Sequence, residues 1–326
     1  SKGLALESVT AFALAGTIRQ FREIWEMEDM GDAGAGLLVA LQARLLQLSK
    51  GQVRMTVPQM EAARAIPEAQ FEKIFGAEGP RTRAWMMQFL EAGVSVGLVS
   101  AKLGTGMGTC FVVAGEDFHP SLAGERLVLT NDHVVSPQPE DYTSAPPLRV
   151  EKAVVSFEVF SKDRGTCEIA AREVVWSSSA QDHDACLIRL AEDPPEDLRP
   201  LPIGRFVPLV DTHAPEGVYV IGHPGGRSLS YSMQNNELLD HDCKPPQADG
   251  TPRRIHYMTP TEPGSSGSPA MNAELDVIGL HHAGAKYMSK LNGKEGTYPA
   301  NEAVWIQSIC TAAREDLDAG RARYAR

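Results

Sequence analysis

The sequence lacks several features that would place it in a class at once. No apolar run approaches the ~20 residues that a membrane-spanning helix requires, and the start, Ser1-Lys2-Gly3-Leu4, is not followed by the apolar segment of a signal peptide. Lys and Arg form no dense run, and 31 Lys+Arg against 42 Asp+Glu give a formal net charge of −11. We therefore expect neither nucleic acid nor a membrane among its partners.

Cysteine is also scarce. The five cysteines are an odd number without close pairs, so they form neither a CxxC zinc pattern nor a small disulfide framework. Such a set is typical of a reducing compartment, and we expect a cytoplasmic location. Since the sequence begins without Met, earlier removal of a signal peptide stays an alternative. Internal repeats and low-complexity segments are missing as well.

What is present is the composition of a globular protein, with 43% hydrophobic and 22% charged residues over 326 positions. Residues 1–92 differ from the remainder, because their apolar side chains follow helical spacing, as in Leu14-Ile18-Phe21-Trp25. A further helix is predicted from about Pro80 to Leu90. The sequence therefore predicts a helical N-terminal domain, 1–92, whose apolar stripes form either a structural core or a surface for a regulatory protein partner.

From Ser95 the hydrophobic period changes to that of short strands separated by turn residues, which predicts a mainly β, closed architecture rather than α/β. The predicted strands are Ser95–Ala101, Met107–Ala114, Leu127–Asn131, Arg149–Phe160, Arg172–Trp176, Asp184–Leu190, Gly217–Ile221, Arg254–Thr259 and Asp276–His281. A terminal helix is predicted at Cys310–Asp318, within about 309–322.

Three places in this β region carry residue types that catalyse acyl transfer. His133 follows an apolar strand, Asp184 opens another, and Ser266 lies in a glycine-rich turn. A serine hydroxyl needs a neutral imidazole to take its proton, and the imidazole needs a buried carboxylate to hold its tautomer. Each residue alone also fits an ordinary loop or turn position.

Together, however, the three local sequences resemble those of trypsin-like (chymotrypsin-fold) serine proteases of bacterial type. Leu129-Thr130-Asn131-Asp132-His133-Val134-Val135 resembles the histidine motif, including that of HtrA-type enzymes. Asp184-Ala185-Cys186-Leu187-Ile188 resembles the aspartate motif, and Gly264-Ser265-Ser266-Gly267-Ser268-Pro269 the nucleophile motif. Gly104–Val113 and Val220–Gly226 look like strands of the same fold. The resemblance covers about residues 94–308.

The resemblance implies roles for particular residues. Ser266 is the expected nucleophile, His133 the general base and Asp184 its partner, while the backbone amides of Gly264 and Ser266 are expected to form the oxyanion hole. Ser265 stands where trypsin has the Asp that pairs with a new N-terminus, so activation by N-terminal trimming is not expected. Competing residues are set aside because they lack the motif's register, namely Asp132, Asp182, His183, His223, Ser265 and Ser268.

Specificity is predicted from the glutamyl-endopeptidase branch, which the segment around Ser266 resembles. In that branch, two positions bind an acidic side chain preceding the scissile bond, and here they hold Thr261 and His281. A hydroxyl and an imidazole both donate hydrogen bonds to a carboxylate. Small or uncharged polar side chains, Gln included, are the alternative substrates. His281-His282 could instead suggest a metal site, but no further ligand lies at suitable spacing.

The resemblance thus implies a chymotrypsin-like double β-barrel over 93–326, with barrel one at about 93–205 and barrel two at about 206–308. The expected activity is that of a serine endopeptidase acting on protein or peptide without cofactor or metal. Two alternatives remain: a pseudoprotease that serves as a binding scaffold, and a latent protease activated by a partner of residues 1–92. Paired helical and trypsin-like domains also resemble bacterial defence effectors, by analogy of architecture alone.

Overall fold

The computed structural model describes residues 81–320, apart from 102–105, 144, 162–163, 208–209, 211–214 and 244–250. The helices predicted before residue 81 and the motif residues Gly104 and Thr105 lie outside the described residues. In the part of the chain that is described, no helix is both long and apolar enough to cross a membrane.

The first described element is a helix, α1 (Arg83–Val94). It begins later than predicted because the Thr82 side chain caps it, accepting a hydrogen bond from Trp85 N at 3.1 Å. Phe89 is fully buried, with its ring 5.7 Å from that of Tyr219. The predicted domain division at residue 92 falls inside this helix, which packs against the β structure.

Six antiparallel strands form a closed barrel in the order β1-β2-β3-β6-β5-β4. Their bounds are β1 Val96–Ala101, β2 Gly106–Ala114, β3 Arg126–Thr130, β4 Ala153–Ser161, β5 Arg164–Ser178 and β6 Ala185–Leu190. A four-residue helix, α2 (Gly115–Phe118), follows β2, and single 3-10 turns occupy Pro120–Leu122, Pro139–Asp141 and Val150–Lys152. The last of these delays the start of β4 relative to the predicted strand Arg149–Phe160.

A second sheet has seven antiparallel strands in the order β8-β7-β11-β12-β13-β10-β9. They are β7 Tyr219–Gly222, β8 Ser230–Ser232, β9 Leu238–His241, β10 Arg254–Tyr257, β11 Pro269–Met271, β12 Val277–Ser289 and β13 Thr297–Trp305, with a 3-10 turn at Pro224–Gly226. Val218 N donates to Asn236 O at 2.6 Å and Leu238 N to Glu216 O at 2.9 Å. These bonds join the segment that precedes β7 to the edge strand β9, so the sheet curls back on itself.

The chain then passes directly from β13 into the terminal helix, α3 (Ile306–Asp318). This helix starts earlier than predicted because neither Gly nor Pro separates it from the strand, and Ile306 and Ile309 are both buried. The mainly β fold and the terminal helix are confirmed, and each predicted strand overlaps an observed one. Four strands were not predicted: β8, β9, β11 and β13.

Alternation along β2 shows how the strands build two different cores. Cys110 and Val112 point into the closed barrel, whereas Phe111 and Val113 belong to a larger cluster that also contains Tyr219 from the second sheet. This larger cluster therefore joins the barrel to the sheet. A third cluster is formed by residues of the second sheet and the segments next to its strands.

Candidate active site

The register of two barrel strands brings the histidine and aspartate motifs together. β3 pairs with β6 so that Thr130 lies opposite Cys186. Because the strands are antiparallel, the residues that follow β3 lie beside those that precede β6. Asn131 strengthens this junction, since its Nδ2 donates to the Asp184 carbonyl at 2.8 Å.

His133 and Asp184 form a close hydrogen-bonded pair at this junction. Nδ1 of His133 lies 2.7 Å from Oδ2 of Asp184, and the His133 backbone N–H donates to Oδ1 at 3.1 Å. Asp184 is buried and has φ of 47°, an uncommon angle for a residue other than glycine. Burial alone would raise the pKa of Asp184, but hydrogen bonds from His133 and His282 outweigh it and hold that pKa well below its usual range.

The two other candidate acids have different partners. Asp132 accepts hydrogen bonds from Tyr142 Oη at 2.6 Å and Ser136 Oγ at 3.2 Å, and burial raises its pKa to about 6. Asp182 accepts from the nearby Ser179 hydroxyl at 3.0 Å. Among these three acids only Asp184 holds the His133 ring. His183 and His223 do lie in loops, although both are buried.

The serine loop connects β10 to β11 and is fixed to both halves of the fold. Gly267 N donates to His281 O at 2.9 Å, while Thr109 N, from the barrel, donates to Ser266 O at 2.7 Å. Gly267 has φ of 88°, and a Cβ at this position would overlap the Thr109 carbonyl oxygen. This turn therefore requires glycine.

The structure also distinguishes the three serines of this loop. Ser265 is buried, and its Oγ accepts a hydrogen bond from Glu262 N at 3.2 Å. Ser268 is fully buried against Gly222. Only Ser266 is partly exposed and lines an open pocket. An attacking hydroxyl must reach substrate, and Ser266 has that access.

Gly108 of β2 shows that the histidine and serine segments meet. A Cβ on Gly108 would lie 2.7 Å from both Cγ atoms of Val134, the residue after His133, and 3.1 Å from Ser266 O. Within the described residues, the Ser266 hydroxyl makes no hydrogen bond to His133 or to another protein group. Such catalytic hydrogen bonds commonly tighten only when substrate is bound.

Two backbone amides of the serine loop are available to a ligand. Neither Gly264 N nor Ser266 N donates to another group in the described part of the chain. Gly225 N donates to the Pro263 carbonyl at 2.6 Å. Because C=O and N–H of a trans peptide point in opposite directions, this bond turns the Gly264 N–H away from Gly225. Unpaired amides on a tight loop are suited to stabilise an oxyanion.

A pocket of ≈ 540 Å³ opens beside Ser266. Thr261 and His281, the two predicted specificity residues, both line it, and so does Lys286. Nδ1 of His281 lies 2.7 Å from Tyr257 Oη. Burial, together with the neighbouring His282 and His133, lowers the pKa of His281 to about 3, so its imidazole is neutral.

Some residues of the site were not predicted from the sequence. The sequence predicts only a strand at Thr109, yet its Oγ1 donates to Gly264 O and accepts from His223 N, each at 3.0 Å. From the sequence, His282 is a candidate only for a metal site and Glu302 has no predicted role, although both join the buried network around Asp184. Among the described residues, no group of three or more His, Cys, Asp or Glu side chains is arranged to hold a metal ion.

Comparison with known proteins agrees with this fold. A family model described as a trypsin-like peptidase domain matches residues 108–280, more than half of the chain. The chain belongs to this family of trypsin-like peptidase domains.

Three individual proteins similar to this chain share 16–25% sequence identity with it. An uncharacterized Sinorhizobium fredii protein, y4fB, is 25% identical over 185 residues, which are 53% of this chain and 26% of that protein. The chain thus spans about a quarter of the curated relative that it matches. The Rv3671c protease of M. tuberculosis, in an inactive form, is 16% identical to this chain with a TM-score of 0.44. The match covers 71% of this chain and 94% of the Rv3671c chain. A serine endoprotease from Yersinia pestis has 16% identity and a TM-score of 0.46, covering 75% and 70%.

Proposed function

We propose that the chain is a serine endopeptidase that hydrolyses peptide bonds of proteins or peptides through Ser266, His133 and Asp184. The observation that carries the proposal is the His133 Nδ1 to Asp184 Oδ2 hydrogen bond of 2.7 Å. It occurs in a trypsin-like fold where the partly exposed Ser266 and Val134, the residue after His133, both lie against Gly108. Asp184 fixes the tautomer of His133 and leaves Nε2 free to accept a proton.

In the first step, His133 Nε2 takes the Ser266 proton while Ser266 Oγ attacks the carbonyl carbon. The Gly264 and Ser266 amides stabilise the oxyanion, and His133 returns the proton to the leaving amine as the peptide bond breaks. Water then attacks the acyl-enzyme with His133 again as base, releasing the acid product and restoring Ser266. The chemistry uses only the protein's own groups and water.

The pocket supports a preference for Glu or Asp before the scissile bond, as in the glutamyl-endopeptidase branch. Thr261 and His281 offer a hydroxyl and a neutral imidazole, and Lys286 adds a positive charge to the lining. A carboxylate in a pocket needs hydrogen-bond donors and is disfavoured where none are present. A neutral His281 that accepts the Tyr257 Oη–H at Nδ1 carries its own N–H on Nε2, which can donate to a substrate carboxylate.

The test is a cleavage profile on a peptide library, with Ser266→Ala as the matched inactive variant. We expect cuts enriched after Glu and Asp, lost in Ser266→Ala, and a raised KM for acidic substrates in Thr261→Val. Cleavage without acidic enrichment would contradict the specificity and leave the mechanism intact. A folded protein that cleaves no peptide at neutral pH would favour the alternatives, a binding scaffold or a latent protease.

A further inference from the structure

A second imidazole lies behind Asp184. His282 Nδ1 is 3.2 Å from Asp184 Oδ2, the oxygen that also receives the His133 hydrogen bond. On its other side, His282 Nε2 is 2.8 Å from Glu302 Oε1. His282 therefore bridges two carboxylates, and its side chain is only 11% exposed.

A β-bulge places His282 in this position. In the β12–β13 pairing, His281 lies opposite Ala303 and Ala283 lies opposite Glu302, so His282 is an extra residue with no partner of its own. Bulges next to active sites commonly re-aim one side chain. Here His281 contacts Tyr257 in the core of the sheet, whereas His282 extends to Asp184.

Glu302 is itself held by groups that keep it ionised. Its Oε2 lies 2.6 Å from His256 Nε2, and its Oε1 lies 3.5 Å from Arg254 Nε. His256 is fixed in turn by Tyr298 Oη, 2.8 Å from Nδ1. Burial would raise the pKa of Glu302, but the hydrogen bonds from His256 and His282 lower it to about 2.

This arrangement determines the charge of His282. An ionised carboxylate only accepts hydrogen bonds, so both ring nitrogens of His282 must donate, and only the imidazolium has two N–H groups. Burial would lower the pKa of His282, but its bonds to Asp184 and Glu302 raise it above the usual value. Around Asp184, two rings therefore share one carboxylate oxygen, and one of them is cationic.

We propose that His282 is a positioning residue which, as a cation held by Glu302, anchors Asp184 and sets the pH at which His133 becomes a base. The inference rests on the proposed triad. A positive charge on one side of Asp184 opposes formation of a second positive charge on His133, on the other side. Removing the His282 charge should therefore favour the protonated form of His133 and narrow the active range on the acid side.

Other titratable groups lie close enough to matter. The groups facing His282 or the His133–Asp184 pair include the neutral His281 on β12, the buried Asp132 next to His133, and Tyr142 and Cys186 beside these acids. Around Glu302 they include Arg254, His256 and Tyr298. In a His282→Gln variant all of these remain, and the Gln amide keeps an N–H that can donate to Asp184. The variant thus removes one positive charge and leaves Glu302 uncompensated on that side, and both changes favour a protonated His133.

The experiment compares the pH profile of kcat/KM in the unaltered chain with that of His282→Gln. The acid limb reports the ionisation of His133 in the free enzyme, and we expect it to move upward by about one pH unit or more. The matched control is His119→Gln, since His119 is bonded to Ser121 and Asp318 outside the site. Its profile should be unchanged.

NMR titration of the His133 and His282 imidazoles in the full chain gives a readout that needs no turnover. We expect the His282 midpoint to lie above that of an ordinary histidine, and the His133 midpoint to be higher in His282→Gln than in the unaltered chain. A His282 midpoint at or below that of an ordinary histidine, or an unchanged His133 midpoint, would overturn the inference. If both histidines titrate as expected but the chain hydrolyses no peptide, the result would contradict the proposed function and leave the inference about His282 intact. If His282→Gln does not fold, the His282 titration in the unaltered chain decides.

Discussion

Thr109 provides a sharp test of how the oxyanion loop is held. Its hydroxyl is the only described link between the Gly264 carbonyl and the His223 amide, accepting from His223 N and donating to Gly264 O, each at 3.0 Å. Thr109 and His223 are both almost wholly buried. Thr109→Val preserves the branched shape and removes both hydrogen bonds, so its effects can be assigned to the hydroxyl.

The magnitude follows from these two bonds. A buried N–H left without a partner costs ~1–3 kcal/mol, and the lost bond to Gly264 adds ~0.5–1.5 kcal/mol. We expect Thr109→Val to lower the free energy of unfolding by about 2–4 kcal/mol. Deleting an oxyanion donor outright costs ~10²–10³ in kcat. Because the Gly264 N–H remains and is only less well oriented, we expect a smaller loss in kcat, roughly tenfold.

The assays are urea unfolding followed by tryptophan fluorescence, and kcat on a saturating peptide at a temperature where both proteins are folded. Thr109→Ser is the matched control, since it keeps the hydroxyl and should recover most of the kcat. A Thr109→Val enzyme with unchanged kcat would show that the hydroxyl does not orient the loop. A Thr109→Ser enzyme as slow as Thr109→Val would assign the effect to packing instead.

Two further predictions concern folding and acid stability. Gly267→Ala should abolish soluble folded protein or reduce its melting temperature sharply, because its Cβ would overlap the Thr109 carbonyl at a φ of 88°; an unchanged melting temperature would contradict this. Glu302, whose pKa is lowered to about 2, contributes stability that is present above its unfolded pKa of ~4.3 and lost as pH falls toward 2. Glu302→Gln should therefore remove on the order of 3 kcal/mol at pH 6 and flatten the fall in unfolding free energy between pH ~4.5 and 2. The exposed Glu295→Gln should leave the free energy of unfolding at pH 6 unchanged.

The closed barrel could be predicted because its strands carry strong local patterns. Leu127, Val128 and Leu129 are all buried, since alternate side chains of this strand enter two different cores. The catalytic residue types follow such strands directly, so their places along the chain could be inferred from the sequence. Which of several neighbouring acids or serines faces the site depended instead on motif register, and the hydrogen bonds supply the physical reason.

The buried charge network could not be predicted in the same way. β13 contains Pro299, Asn301 and Glu302, which resemble an exposed loop until His256 and His282 are known to surround the glutamate. The three-residue strands β8 and β11 owe their conformation to pairing with β7 rather than to local propensity. Long-range pairing of this kind leaves no local pattern.

The central claim, that Ser266 is the nucleophile, is tested most directly by covalent labelling. The full chain is treated with a fluorophosphonate at neutral pH, digested with a protease and mapped by mass spectrometry, with Ser266→Ala and His133→Gln alongside. The account predicts one adduct, on Ser266, absent from Ser266→Ala and formed far more slowly in His133→Gln. An adduct on Ser265 or Ser268, or no adduct on a folded protein that hydrolyses peptides, would contradict it.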